Sequence, residues 1–140
     1  MNFENLLSIS DSLDIITLFE PLKHKKAFSV HFDNESAIVI DTSKIENNRE
    51  LKRIYSEELG HCVTKGFYPI HYCTEPLRRS NIEKAEHKAQ EASYIFQVPF
   101  SELQEAIKKG SDDYEIAELL DVDIKTLHEV FEYYQCKELL

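Results

Sequence analysis

The fold is decided by the stretch Leu51-Lys52-Arg53-Ile54-Tyr55-Ser56-Glu57-Glu58-Leu59-Gly60-His61. Its apolar residues recur every three or four positions, which predicts an amphipathic helix from about Asn48 to about Lys65. Gly60 is unusual inside a helix, because glycine there costs about 0.5–1 kcal/mol relative to alanine. We therefore expect another backbone to pack closely against this helix at Gly60.

The ionisable side chains at the end of this helix match the spacing of the zinc-binding pattern H-E-x-x-H. Residues four apart lie on one helix face, so Glu57 and His61 project toward the same point, with Glu58 beside them. In that pattern the outer residues bind zinc, and the glutamate after the first takes a proton from water. Here Glu57 stands where the first histidine is usual, and zinc also accepts carboxylate oxygen. The segment equally fits a solvated acidic face with one surface histidine, since 26 residues are acidic.

A second long helix is predicted from about Ile82 to Val98, where Pro99 stops it. Small residues at spacings of four and three suit this helix for close packing against the first; they are Ala85, Ala89 and Ala92.

Glu86 lies next to this alanine stripe and is predicted to be the third metal ligand. The same residue also fits an exposed carboxylate that pairs with a nearby lysine. His87, after a small rotation of the helix, and His71, from a predicted loop over residues 67–80, are alternative ligands. Tyr68 and Tyr72 in that loop either line a substrate cleft or pack locally.

The remaining elements predict an α+β fold. Apolar spacing favours a helix over residues 2–20, which Ser10 and Asp11 either interrupt or cap as a second turn. Two β-type runs around Asp33-Asn34 predict a hairpin over residues 27–32 and 37–40. Three short helices follow the second long helix, near 101–109, 114–120 and 124–140. We expect a zincin-like core over residues 1–99, with the metal helices and the hairpin, and a C-terminal helical cap over residues 100–140.

The composition narrows the possible partners and the compartment. A net charge of -10 argues against binding nucleic acid or an anionic membrane surface, because both need a basic patch. No apolar run of 18 residues and no leader segment is present, so no membrane association is expected. Three cysteines (Cys62, Cys73 and Cys136) have no disulfide spacing, which favours a reducing compartment such as the bacterial cytoplasm.

Residues 116–127 have the apolar pattern of a helix-turn-helix. The helix that would read DNA carries Lys125 and His128 against Glu129, Glu132 and Glu138, and these carboxylates would repel phosphates. A helical cap or a surface that docks a partner is the better interpretation.

The order and spacing of these segments resemble the ImmA/IrrE family of metallo-endopeptidases. The resemblance covers nearly the whole chain: the leading helix, the hairpin, Leu51 to His61, Glu86-x-x-Ala89, Val98-Pro99, and the segment DDYEIAELLDVDIKTLHEVFEYY at residues 112–134. Family members typically carry H-E-[LI]-G-H, and a subset from mobile elements carries E-E-L-G-H, as this chain does.

The resemblance implies a zinc site with His61 and Glu86 as ligands, Glu57 at the first ligand position and Glu58 as the general base. It also implies a substrate. Better-known members are encoded beside a helix-turn-helix repressor in phages and integrative elements, and they cut that repressor. The chain is thus expected to be a site-specific endopeptidase acting on such a repressor. The alternative is a degenerate zincin that binds or sequesters the repressor without cutting it.

Overall fold

The computed structural model describes the backbone of residues 1–64 and 75–140, and the side chains of residues 1–64 and 82–140. These parts form an α+β fold of six α-helices and one three-stranded sheet. The elements in chain order are α1 (Phe3–Ser12), β1 (Ile15–Phe19), β2 (Ala27–Phe32), β3 (Glu35–Ile40), α2 (Asn48–Thr64), α3 (Glu75–Gln97), α4 (Phe100–Lys109), α5 (Asp113–Leu120) and α6 (Ile124–Cys136).

The first helix is shorter than the sequence predicts, and its second half is a strand. The side chain of Asn2 caps α1 by accepting a hydrogen bond from the Asn5 backbone N–H, at 2.8 Å. The helix ends at Ser12, and Asp14 takes a left-handed conformation with φ 58°. The next five residues, Ile15–Phe19, are mostly β-branched or aromatic and form β1. A single helix over 2–20 was therefore wrong, because apolar spacing of three and four does not exclude a strand.

The predicted hairpin is confirmed. β2 and β3 pair antiparallel, and the two-residue turn between them, Asp33-Asn34, has positive φ at both positions (50° and 64°). This conformation suits the right-handed twist of the strands and is favoured by Asp and Asn. β1 pairs in parallel with β3, so the strand order is β1-β3-β2 and β2 is an edge strand.

One face of the sheet packs against α1 and α2. The buried side chains of this core come from all three elements: Leu6, Ile15, Ile38, Tyr55, Leu59 and Cys62. Tyr55 is fully buried and its hydroxyl hydrogen-bonds Ser10 at 2.5 Å and Thr17 at 2.7 Å. Because Ser10 lies in α1 and Thr17 in β1, this tyrosine fixes α2 against both elements.

The C-terminal helices enclose a second core. Its fully buried side chains include Val98, Leu103, Leu127 and Val130. The three predicted helices are confirmed, although α6 ends at Cys136 rather than at the last residue. The predicted loop over 67–80 was wrong for residues 75–80, which belong to α3. Its remaining residues, 67–74, lie outside the described residues.

The N-terminal half of α2 is attached to this second core. Lys52, only 4% exposed, donates a hydrogen bond to the Leu120 carbonyl oxygen at the end of α5, at 3.0 Å. Arg49 donates to the carboxylates of Glu118 (3.0 Å) and Asp121 (2.9 Å). The turn between α5 and α6 is thus held by α2, which leaves the opposite half of α2 to form the candidate site.

Candidate active site

The two long helices approach each other closely at Gly60. A Cβ atom on Gly60 would stand 3.1 Å from the carbonyl carbon of Ala89 on α3, and closer still to the carbonyl oxygen. Only glycine leaves room for that backbone, so the expectation of close packing at Gly60 is confirmed. Its consequence is that side chains close to this contact, such as one residue after Gly60 on α2 and one turn before Ala89 on α3, are brought together.

His61 and Glu86 are such a pair. The His61 Nε2 atom lies 3.5 Å from Glu86 Oε2. The His61 side chain is 13% exposed and that of Glu86 is 53% exposed, so the pair lies at the solvent edge of the contact between α2 and α3. The residues predicted as second and third metal ligands therefore meet, although they are 25 positions apart in the sequence.

Glu58 lies beside this pair and under the sheet. Burial raises the pKa of its carboxyl group, a hydrogen bond with the Ser29 hydroxyl lowers it, and the charges of His61 and Glu86 lower and raise it respectively. A carboxylate whose pKa is shifted toward neutrality is suited to take and return a proton. The role of general base predicted for Glu58 stays a prediction.

Glu57, at the first ligand position, has a different partner. Its Oε1 atom accepts a hydrogen bond from Arg53 at 3.4 Å, one helical turn earlier. Burial raises the pKa of Glu57, the Arg53 charge lowers it, and the charges of Glu58 and Glu86 raise it. Arg53 and Glu57 border a cavity of about 540 Å³. This cavity extends to Gln90 and Tyr94 on α3 and to the start of α6.

The donor types and one distance fit a zinc ion. Donor atoms of two ligands on a tetrahedral zinc stand about 3.3–3.5 Å apart, and His61 Nε2 and Glu86 Oε2 are 3.5 Å apart. Glu57 shares the helix face of His61, and Arg53 engages only one of its two oxygens. Within the described residues, however, no three His, Cys, Asp or Glu side chains are grouped closely enough to form a complete metal site.

The alternative ligands divide into one that the structure describes and one that it does not. His87 is 76% exposed and forms an ion pair with Glu91 at 2.7 Å, so its ring is directed to solvent and to its own helix. His71, Tyr68 and Tyr72 lie outside the described residues, as does Cys73. Cys62 is buried and Cys136 is exposed, and both are free thiols.

Two neighbours of the site were missed from the sequence. Arg53 precedes Glu57 by four residues, a spacing at which opposite charges pair on a helix, so the sequence does contain that signal. Ser29 has none, because its contact with Glu58 depends on strand register. Ser29 on β2 pairs with Ile38 on β3, and Ile38 pairs on its other side with Thr17 on β1. This row therefore presents one hydroxyl to Tyr55 and another to Glu58.

Comparison of the chain with protein-family models, with curated proteins and with solved structures gave no match. Among the helices in the described parts of the chain, none is both long and apolar enough to cross a lipid bilayer.

Proposed function

We propose that this chain is a zincin-type metallo-endopeptidase of the ImmA/IrrE kind, which cleaves a helix-turn-helix repressor of a phage or integrative element in the bacterial cytoplasm. The observation that carries this proposal is the convergence of Glu58, His61 and Glu86, from two helices, at the solvent edge of the contact between them. A general base next to a histidine–carboxylate pair is the arrangement that metal-assisted hydrolysis of a peptide bond needs.

His61 and Glu86 would hold the zinc ion, with Glu57 as the third protein ligand. When bound, zinc supplies Lewis-acid activation of water and of the scissile carbonyl group. Arg53 donates a hydrogen bond to one oxygen of Glu57, and the second oxygen would be the donor to zinc.

Glu58 performs the proton transfers in this mechanism. It accepts the proton of the attacking water and then returns it to the nitrogen of the leaving amine. The Ser29 hydroxyl orients the Glu58 carboxyl group, and its neighbour Glu86 disfavours a second negative charge nearby. Burial between the sheet and α3 keeps bulk water from solvating the carboxylate, which makes it a stronger base than an exposed glutamate.

Metal content tests the ligand assignment. Protein purified without chelator is expected to hold close to one equivalent of zinc by mass spectrometry, and His61→Ala and Glu86→Gln are expected to lose most of it. His87→Ala is the matched control, since His87 lies on α3 one residue from Glu86 but points to solvent. A zinc content that falls equally in His87→Ala would contradict the assignment.

Cleavage tests the activity. The repressor encoded beside the chain is co-expressed with the wild type, with Glu58→Gln and with Glu83→Gln, an exposed carboxylate on α3. We expect one specific cut with the wild type and with Glu83→Gln, and a loss of at least about a hundredfold with Glu58→Gln. Unchanged cleavage by Glu58→Gln would remove Glu58 from the mechanism.

The second candidate is a binding module that keeps the fold and has lost the chemistry. It is favoured by one observation: the residue at the first ligand position is a glutamate that already pairs with Arg53. Metal-free wild-type protein that binds the repressor and leaves it uncut would establish this alternative. Glu57→His separates the two further, because zinc affinity should rise if residue 57 lies in the ligand set and should not change if it does not.

A further inference from the structure

The sheet has a second face, on the side away from α1 and α2, and that face is apolar. Strand pairing gives two rows across it, Ile16–Ala37–Val30 and Leu18–Val39–Phe28. Phe32 extends the face at the end of β2. An antiparallel hairpin with one solvated face normally places polar side chains there, and these seven positions carry none.

Much of this apolar face is open to solvent. The exposed fractions are 49% for Ile16, 45% for Leu18, 42% for Val30 and 77% for Phe32. Exposed single apolar residues are ordinary, but a contiguous apolar patch on a sheet indicates a surface that is covered by a partner.

The two ends of the face carry opposite charge. At one end, β1 begins and the hairpin turns, and the exposed side chains there are Asp14, Asp33 and Glu35. At the other end, the connection between β1 and β2 contributes the exposed Lys23 and His24 next to Glu20, whereas Lys26 pairs with Glu50 of α2 and the charge of Lys25 acts on Glu58. The chain as a whole has a charge of -10, so this basic end is a local exception.

We propose that the face binds a second copy of this chain, sheet against sheet. A two-fold axis that lies in the interface and runs across the strands brings the two apolar faces together, with each row lying over the other row, and reverses the ends of the strands. Each basic end then lies over the acidic end of the other copy. The dimer therefore buries the apolar rows and pairs the oppositely charged ends in the same interface. A two-fold axis parallel to the strands would instead place like charges together.

The area of the apolar face determines how tightly the two copies are expected to bind. Three strands of about six residues span roughly 14 Å by 20 Å. Before the charged ends are added, two such faces cover only about 560 Å² in projection, which is below the roughly 1,200 Å² at which stable interfaces begin. The dimer is therefore weak and reversible, with a dissociation constant on the order of tens of micromolar.

Sedimentation velocity of the full chain tests the dimer. Between about 5 µM and about 300 µM the wild type is expected to pass from monomer to dimer. Val30→Lys, alone and combined with Ile16→Lys, should remain monomeric over this range. Leu119→Lys on α5 is the matched control, because Leu119 is 54% exposed and lies outside the sheet. Circular dichroism checks that each variant is folded.

Charge reversal tests the orientation of the two copies. Lys23→Glu and Glu35→Lys should each raise the dissociation constant by about three- to tenfold, since each removes two symmetry-related pairs. Combining both in one chain should restore most of the affinity. A wild type that stays monomeric throughout, a Leu119→Lys variant as defective as Val30→Lys, or a double reversal weaker than either single change would each overturn the proposal. None of these outcomes depends on metal binding or cleavage.

Discussion

In the N-terminal half of α2, lysine and arginine side chains donate hydrogen bonds to oxygen acceptors. In the C-terminal half, glutamate side chains lie close to one another. Lys52 donates to the Leu120 carbonyl oxygen and Arg49 to two carboxylates of the α5 end. The C-terminal half of the same helix carries Glu57 and Glu58, which lie near Glu86; Arg53 offsets the charge of Glu57, and His61 and Lys25 offset that of Glu58.

The difference separates charges that attach α2 to the C-terminal helices from charges that form the candidate site. In the first half each charge is compensated, and the result is the attachment of α2 to the C-terminal helices. In the second half burial and like charges raise the pKa of two carboxyl groups, which costs stability. Carboxyl groups with a raised pKa beside specific charged partners are typical of functional sites. Three substitutions break or sharpen this contrast, from the largest expected effect to the smallest.

Gly60→Ala should have the largest effect. The added methyl group meets the Ala89 backbone, so α2 and α3 must separate, and we expect a loss of about 1–3 kcal/mol in the free energy of unfolding. Urea denaturation followed by circular dichroism measures it. Gly110→Ala is the matched control, because the nearest atom there belongs to the Ile116 side chain, which can move. Equal losses would show that the helix contact is not unusually tight.

Lys52→Met tests the compensated half of α2. It keeps the aliphatic length but leaves the Leu120 carbonyl oxygen without its donor, so we expect a loss of about 1–2 kcal/mol at pH 7. The loss should also depend on pH. Burial lowers the pKa of Lys52 below its usual 10.5, so between the folded and unfolded values the unfolded chain binds the proton more tightly. Stability from this residue therefore rises with pH in that window.

The readout for Lys52 is the difference between wild type and variant in urea denaturation from pH 7 upward toward 10.5. The titrations of Cys62 and Tyr134, whose pKa values burial raises to about 12, occur in both proteins and cancel in the difference. If the difference in free energy of unfolding between wild type and Lys52→Met became smaller as the pH rises, it would contradict the buried, charged state assigned to Lys52.

Glu58→Gln should have the smallest effect and the opposite sign. Glutamine keeps a partner for Ser29 and removes one carboxylate from the group that includes Glu57 and Glu86. In metal-free protein we expect a gain of about 0.5–1 kcal/mol, as for other functional residues whose replacement stabilises the fold. Glu118→Gln, which weakens the ion pair with Arg49 at 3.0 Å, should instead give a small loss. A loss from both would abolish the contrast between the two halves.

The sequence predicted those features that depend on local periodicity. The Asp33-Asn34 turn fixes the hairpin, and the apolar spacing around Tyr55 fixes α2 within one or two residues. The sequence-based prediction was wrong at β1, because the spacing of its apolar residues allows either a helix or a strand. The left-handed conformation of Asp14 ends α1 before this segment, which then forms the strand. The pair of Gly60 and the alanine stripe of α3 predicted a close helix contact, because only small residues allow two backbones to approach.

What the sequence alone determined is which ionisable residues share one face of α2. Glu57, Glu58 and His61 share a face by helical geometry, and their order follows from covalent spacing. Only the tertiary structure decided that Glu86 meets His61, that Ser29 hydrogen-bonds Glu58, and that Lys52 and Arg49 bind the end of α5. These contacts join elements far apart in the chain, and the packing of helices and the register of strands set them rather than any local spacing.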